Sequence, residues 1–113
     1  MPLVTFVQEG SAIDYTPNAD VEAGDVVVQN DLVGVTKRKI PANTQGALHV
    51  AGVFNFPKAT GASTAIAAGV SVYWDIADAE AKTDSETGAN KLIGKTVAAA
   101  GDNDAEVRVR MSQ

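Results

Sequence analysis

The stretch Val70-Ser71-Val72-Tyr73-Trp74-Asp75-Ile76 alternates without a fault: Val70, Val72, Trp74 and Ile76 fall on one side, Ser71, Tyr73 and Asp75 on the other. Successive side chains of an extended chain point to opposite faces, so this pattern predicts a strand with one buried face. The same period recurs near the end of the chain, where Val107, Val109 and Met111 alternate with Glu106, Arg108 and Arg110. A third stretch sets Leu48, Val50, Phe54 and Phe56 against His49, Ala51, Val53 and Asn55. Shorter strands are predicted over residues 3–8, 12–15, 26–29 and 32–37.

Turn chemistry separates these segments. Glu9-Gly10-Ser11 reads as a hairpin between the first two strands. Thr16 precedes a proline, which biases it to extended backbone, and Pro17-Asn18-Ala19-Asp20 follows as a turn. Ala23-Gly24-Asp25 is a tight turn before Val26, and Gln29-Asn30-Asp31 marks a hairpin tip. Helical periodicity is nearly missing. Many short strands with frequent turns predict an all-β fold, a compact sandwich or barrel.

Two segments break the pattern. Residues 77–90 carry Asp78, Glu80, Asp84 and Glu86 among Lys82, Thr83, Ser85, Thr87 and Gly88 without an aromatic residue, which predicts an exposed acidic loop or a long hairpin. Residues 59–65, Ala-Thr-Gly-Ala-Ser-Thr-Ala, read as a flexible connection.

The chain also echoes itself. Val21-Glu22-Ala23-Gly24-Asp25-Val26-Val27 is matched by Ile66-Ala67-Ala68-Gly69-Val70-Ser71-Val72, and Leu32-Val33-Gly34-Val35-Thr36 by Leu92-Ile93-Gly94-Lys95-Thr96. A closing strand follows each copy. The reading is one β domain over residues 1–113, built from two similar units at about 21–58 and 66–112 that pack face to face, each with an apolar face it cannot bury alone. The acidic loop at 77–90 is then an insertion in the second unit. Gly34 and Gly94 lie inside strand patterns and predict bulges or close backbone approaches.

Composition narrows the function. The chain has 113 residues, enough for one domain with a modest core. Apolar residues make up 45% but aromatics only 5%, so the core must rest on small and β-branched side chains. There is no Cys, which removes disulfides, thiolate metal sites and cysteine nucleophiles. The one His, His49, cannot build a multi-histidine metal site and reads as a strand residue facing solvent or an interface. Net charge is −5, and the only dense basic group is Lys37-Arg38-Lys39, so a nucleic-acid partner is not expected. No apolar run reaches membrane-spanning length, and no basic region precedes an apolar stretch at the start, so neither a membrane partner nor a signal peptide is expected.

Three motifs could carry chemistry. Gly88-Ala89-Asn90-Lys91-Leu92-Ile93-Gly94-Lys95-Thr96 resembles a phosphate-binding P-loop, but its glycines stand one residue too far apart and no helix is predicted after Thr96. Glu22-Ala23-Gly24-Asp25-Val26-Val27 looks like turns of lipoyl- and biotin-carrying domains, yet Lys37, Arg38 and Lys39 form a run and not one displayed lysine. Asp102 with Asp104, and Asp84 with Glu86, are loop carboxylates sharing one solvated environment, unsuited to acid–base work. Asp102-Asn103-Asp104 lacks the further ligands of a calcium loop. No catalytic residue, cofactor or metal is predicted, and the reading is of a non-enzyme.

The ordered set of segments resembles the phage capsid cement, or decoration, proteins. It is carried by residues 10–16 (Gly-Ser-Ala-Ile-Asp-Tyr-Thr), 21–27, Leu32-Val33-Gly34-Val35, residues 46–54 (Gly-Ala-Leu-His-Val-Ala-Gly-Val-Phe), Phe56-Pro57-Lys58, residues 68–75 (Ala-Gly-Val-Ser-Val-Tyr-Trp-Asp) and Ile93-Gly94. Some members of that family are also labelled as recombinases of the RecA/RadA type, a label the glycine spacing and the acidic charge here do not support. The resemblance implies a structural protein of the virion, made in the host cytoplasm. It would sit on the outer capsid surface as a homo-oligomer, a trimer favoured over a dimer, and bridge subunits of the major capsid protein. Apolar residues the core does not obviously need are the expected interface: Pro2, Leu3, Phe6, Val53, Phe54, Phe56 and Tyr73. The competing function is a carbohydrate-binding β-module on the virion, for which Tyr73 or Trp74 would supply the aromatic platform; nucleotide binding at the glycine motif is a remote third.

Overall fold

A computed structural model describes residues 3–113. The described residues form nine strands: β1 (Ala12–Tyr15), β2 (Val26–Gln29), β3 (Leu32–Val35), β4 (Gly46–His49), β5 (Gly52–Pro57), β6 (Ser71–Asp75), β7 (Glu80–Lys82), β8 (Lys91–Thr96) and β9 (Glu106–Met111). The only helical turn among the described residues is a 3₁₀ turn at Glu86–Gly88. The strands make two antiparallel sheets, β1-β4-β3-β2 and β5-β9-β8-β6-β7. The expected all-β fold is therefore present, and of the sandwich and the barrel the two antiparallel sheets are consistent with the sandwich.

The alternating segments behave as their period dictates, except at the end of β6, where Asp75 is buried and Ile76 beyond it is exposed. In β9, Val107, Val109 and Met111 are buried while Glu106, Arg108 and Arg110 face out. In β6, Val72 and Trp74 point into the core, and Tyr73 is half-buried on the other side. Phe56 meets Trp74 edge-on with ring centroids 6.0 Å apart. Val33, Val35, Ile93 and Ile66 close the space between the sheets. The Asn30-Asp31 tip joins β2 to β3, with Gln29 opposite Leu32 and Asn30 in the left-handed region at φ 53°.

The two sheets share a wiring pattern. In the first, Thr36 Oγ1 donates to the Glu22 carbonyl at 2.7 Å, the Thr36 carbonyl accepts from Gly24 N–H, and the Thr36 N–H donates to the Asp25 carbonyl. In the second, Thr96 Oγ1 donates to the Ala67 carbonyl at 2.7 Å, with Gly69 and Val70 in the places of Gly24 and Asp25. Paired bridges follow in each, Val21 with Ile40 and Ile66 with Ala100. The strand order β1-β4-β3-β2 corresponds to β5-β9-β8-β6, and β7 is an added edge.

Gly94 and Gly34 mark crowded places. A Cβ on Gly94 would strike the Arg110 carbonyl oxygen and come within 2.7 Å of the Ser112 nitrogen, so β8 and β9 approach closely there. A Cβ on Gly34 would collide with the buried Leu48 side chain of β4.

Two expectations are corrected. Residues 3–8, predicted as a strand leading into a hairpin, belong to no strand and pair with no strand among the described residues; they lead, exposed, into β1. Their β-branched residues favour a strand, but no partner strand lies beside them. The stretch 48–56 is not one strand. It breaks at Val50-Ala51, so that β4 ends in the first sheet and β5 begins in the second, with Gly52 at φ +121° taking the bend. Residues 77–90 take the hairpin form of their expectation: β7 pairs with β6 and most of the segment is exposed, while Ala81 is buried and the buried Asn90 donates from Nδ2 to the Asp84 carbonyl.

Candidate docking surface

The apolar side chains that the fold leaves uncovered are concentrated at the N-terminal arm. Leu3 is 86% exposed, Val4 90%, Phe6 77% and Val7 84%. Single exposed apolar residues are ordinary, but four within five consecutive positions of an unpaired segment form a patch of the kind that marks interaction surfaces. The arm joins the body where the Val50 N–H donates to the Ser11 carbonyl, one residue before Ala12 pairs with His49.

Near that root the surface turns cationic. Lys37, Arg38 and Lys39 form an exposed bend after β3, and with Ile40, Gly46 and His49 they line a groove of about 560 Å³. Lys37 Nζ stands 5.9 Å above the Phe54 ring, a cation–π contact that also covers part of a half-buried aromatic. Lys39 is shared between Glu22 at 3.7 Å and Asp20 at 4.0 Å. Partial burial, then the nearby Lys37 charge, hold the His49 imidazole below its usual range, so it is neutral at pH 7.

The predicted interface residues divide. Pro2 lies outside the described residues. Leu3 and Phe6 are on the arm, and Val53, 54% exposed, is on the outward face of β5. Phe54 is half-buried under Lys37, and Tyr73 is half-buried opposite Leu92 on β8 and Lys82 on β7. Phe56 is a correction: at 1% exposure it is core, because its place in the alternation of β5 turns it toward Val107 and Trp74.

The competing motifs acquire structural roles. Gly94, Lys95 and Thr96 belong to strand β8, and the Thr96 hydroxyl is spent on the Ala67 carbonyl, so no phosphate cradle forms. Trp74 is buried and presents no stacking platform. Asp102 Oδ1 accepts from the N–H groups of Thr64 and Ala65, and Asp104 Oδ2 from Gly101 N–H, which ties down the 59–65 connection. Among the described residues no three potential metal ligands come together, and no helix is long and apolar enough to cross a membrane.

Composition also hides two polar features. Lys58 is buried, and its ammonium donates to the Ala59 carbonyl at 2.7 Å and the Asp104 carbonyl at 3.0 Å. Asp75, buried at the end of β6, meets Lys82 Nζ at 2.8 Å. The only early signal for Lys58 is its place directly after an alternating strand; for Asp75 it is that the apolar alternation continues past it to Ile76.

Fold and surface together define an all-β, two-sheet body that carries an exposed apolar arm and an exposed basic groove. The sequence profile of the Phage cement protein family matches residues 7–111. The chain belongs to that family, which gives it a structural role on a phage capsid. A search of curated proteins and a search of solved structures each found no match.

Proposed function

We propose that this protein attaches to the outer surface of an assembled phage head as a homo-oligomer, a trimer, and bridges neighbouring major capsid subunits. Its work is mechanical, not catalytic. The observation that carries the reading is the arm: Leu3, Val4, Phe6 and Val7 are exposed in a member of the cement family, and the other described residues leave them uncovered. Val53, Phe54 and Tyr73 extend the proposed contact surface onto the body.

The physical logic is linkage. A protein that binds the assembled shell better than free subunits stabilises the shell by that difference. Each arm contact is small, and an oligomer presents several at once, so effective concentration raises the total. A trimer interface that persists in solution needs on the order of 1,000 Å² or more of buried surface. We also read the body as a duplicated β unit with β7 and the 3₁₀ turn inserted in the second copy. The matched bonding of Thr36 and Thr96 and the matched strand orders support this reading.

Deleting residues 1–7 tests the proposal. The truncated protein should keep its β-type circular dichroism and its melting temperature, since residues 3–7 pair with no strand among the described residues. It should no longer co-sediment with phage heads that lack the protein. Full head occupancy by the truncated protein would overturn the role given to the arm.

A further inference from the structure

The outward face of the β5-β9-β8-β6 sheet carries a row of directly opposed residues: Val53 faces Arg110, Arg110 faces Lys95, and Lys95 faces Ser71. Lys95 and Arg110 are both exposed. Directly opposed side chains on adjacent strands stand about 5 Å apart, and like charges in that relation destabilise a sheet. Arg108 is exposed one step along β9 and reaches only the neutral Asn55, at 3.3 Å. Glu106 closes the row at the far end of β9. Among the described residues the ion pairs join Lys39, Lys82 and Lys91 to carboxylates, and none includes Lys95, Arg108 or Arg110. A net-acidic chain thus sets three uncompensated cations side by side on one sheet face.

The same chain holds the complement. The hairpin that adds β7 to the other side of this sheet carries Glu80, Asp84 and Glu86, none of which joins an ion pair among the described residues. Lys82, the only base between them, is already taken by Asp75 and Asp78. We propose that the Lys95–Arg110–Arg108 row is a docking site for the acidic 80–86 hairpin of a second copy of this chain. The two patches lie at different places on one subunit, so the contact is head-to-tail, and such contacts close into rings when the rotation allows. Val53, at the β5 end of the row, supplies an apolar margin to the contact. This inference rests on the homo-oligomer in the reading above and names the surfaces that join.

Charge reversal decides it. Self-association is measured by sedimentation equilibrium of the full chain for wild type, for K95E/R110E, for E80K/D84K/E86K, and for all five substitutions in one chain. Circular dichroism checks the fold, which these surface positions should leave intact. The expected result is a wild-type oligomer that dissociates as salt rises, because exposed charges are screened within about 10 Å at 0.1 M salt. Each partial reversal should weaken association by at least about tenfold, and the fivefold swap should restore it. A K95E/R110E protein that associates like wild type overturns the contact, as does a fivefold swap that stays monomeric. If a reversed variant fails to fold, a wild-type oligomer indifferent to salt overturns it independently. Head occupancy, measured separately, keeps the two readings apart. A monomeric wild type that still saturates heads sinks this contact and the oligomer it rests on while leaving capsid attachment standing, and a salt-sensitive ring that never binds heads sinks the capsid reading alone.

Discussion

The side chain of Gln113 pairs with the backbone of Val33 as a neighbouring strand would: Nε2 donates to the Val33 carbonyl at 2.7 Å, and Oε1 accepts from the Val33 N–H at 2.7 Å. Val33 is fully buried, and only Val35 of β3 is paired with β4, through His49. The strands diverge before Val33, and its backbone groups need another partner. An amide side chain offers one donor and one acceptor in a plane, the same pair a peptide offers. The second sheet is thereby fastened to the first, alongside Lys91, which reaches Asp31 at 2.9 Å.

Gln113→Ala should therefore cost more than a surface substitution. It leaves two buried backbone groups without partners, each worth about 1–3 kcal/mol if water cannot reach it. A loss of about 1–3 kcal/mol in urea unfolding is expected, with water access favouring the low end. Gln113→Asn, one methylene shorter, should behave like the alanine variant. A Gln113→Ala protein with an unchanged midpoint would mean the clamp carries no net stability.

The two buried threonines give a paired test. Thr36 and Thr96 each spend a hydroxyl on a turn carbonyl at 2.7 Å, and each also accepts a backbone N–H through Oγ1, from Asp25 at 3.2 Å and from Val70 at 3.1 Å. Valine keeps the shape and removes both bonds. Thr36→Val and Thr96→Val should each destabilise by about 1–3 kcal/mol. They sit in different sheets and share no partner, so the double variant should be additive within about 0.5 kcal/mol. Strong non-additivity in denaturation would show that the two turns are coupled.

The strands that could be read from sequence were those whose period had one answer. Val72 and Trp74, or Val107 and Val109, can only point one way if the chain is extended. The arm misled because residues such as Val4 and Val7 favour strands, while pairing needs a second edge in the right place, and no local pattern encodes that. Residues 48–56 misled because alternation continues unbroken through Val50-Ala51 while the chain changes sheets. Phe56 was placed at an interface because a face of alternating residues does not announce which side is inward. The glycines at 34 and 94 were legible as crowding, since a strand interior has little other use for glycine. The opposition of Lys95 and Arg110 could not be read at all, because it depends on the register between two strands. The bulge between Val72 and Tyr73 shows how easily such a register shifts.

Gly94→Ala should be among the most damaging single substitutions. The added methyl meets the backbone of Arg110 and Ser112, which cannot rotate aside, so β8 and β9 must separate. Overpacking costs about 1–3 kcal/mol, occasionally more, and this site should reach or exceed the top of that range. Gly34→Ala meets the Leu48 side chain, which is buried and has little room to move, and should fall within the range. Gly10→Ala meets nothing within 4 Å and serves as the neutral control. Thermal unfolding of the three proteins checks the order, and a Gly94→Ala protein as stable as Gly10→Ala would refute the close approach.

The Asp75–Lys82 pair predicts how stability depends on pH at both ends of the scale. Lys82 donates to the Asp75 carboxylate, whose other oxygen accepts from the Asp78 N–H at 3.1 Å; first the lysine, then this backbone bond, hold the carboxyl below the ordinary aspartate range. A carboxyl with a depressed folded pKa contributes stability that is fully present above its unfolded value, near about 4, and is lost as pH falls through the folded value. Asp75 and Asp78 together raise the Lys82 pKa, so its share is present below its unfolded value, near about 10.4, and is lost as pH rises through the folded one. Glu80, opposite Asp75 on β7, and Glu86 on the following turn also carry carboxyl groups beside the pair, so the single-residue effect must come from a difference. Urea midpoints measured from pH 2 to pH 11 should therefore form a plateau that falls at both ends. Asp75→Asn should lower the plateau and shrink the drop below pH 4 relative to wild type, because the substituted side chain has no proton to take up. An acid limb of equal size in both proteins would mean that the carboxylate of Asp75 makes no contribution to holding the β6-β7 hairpin.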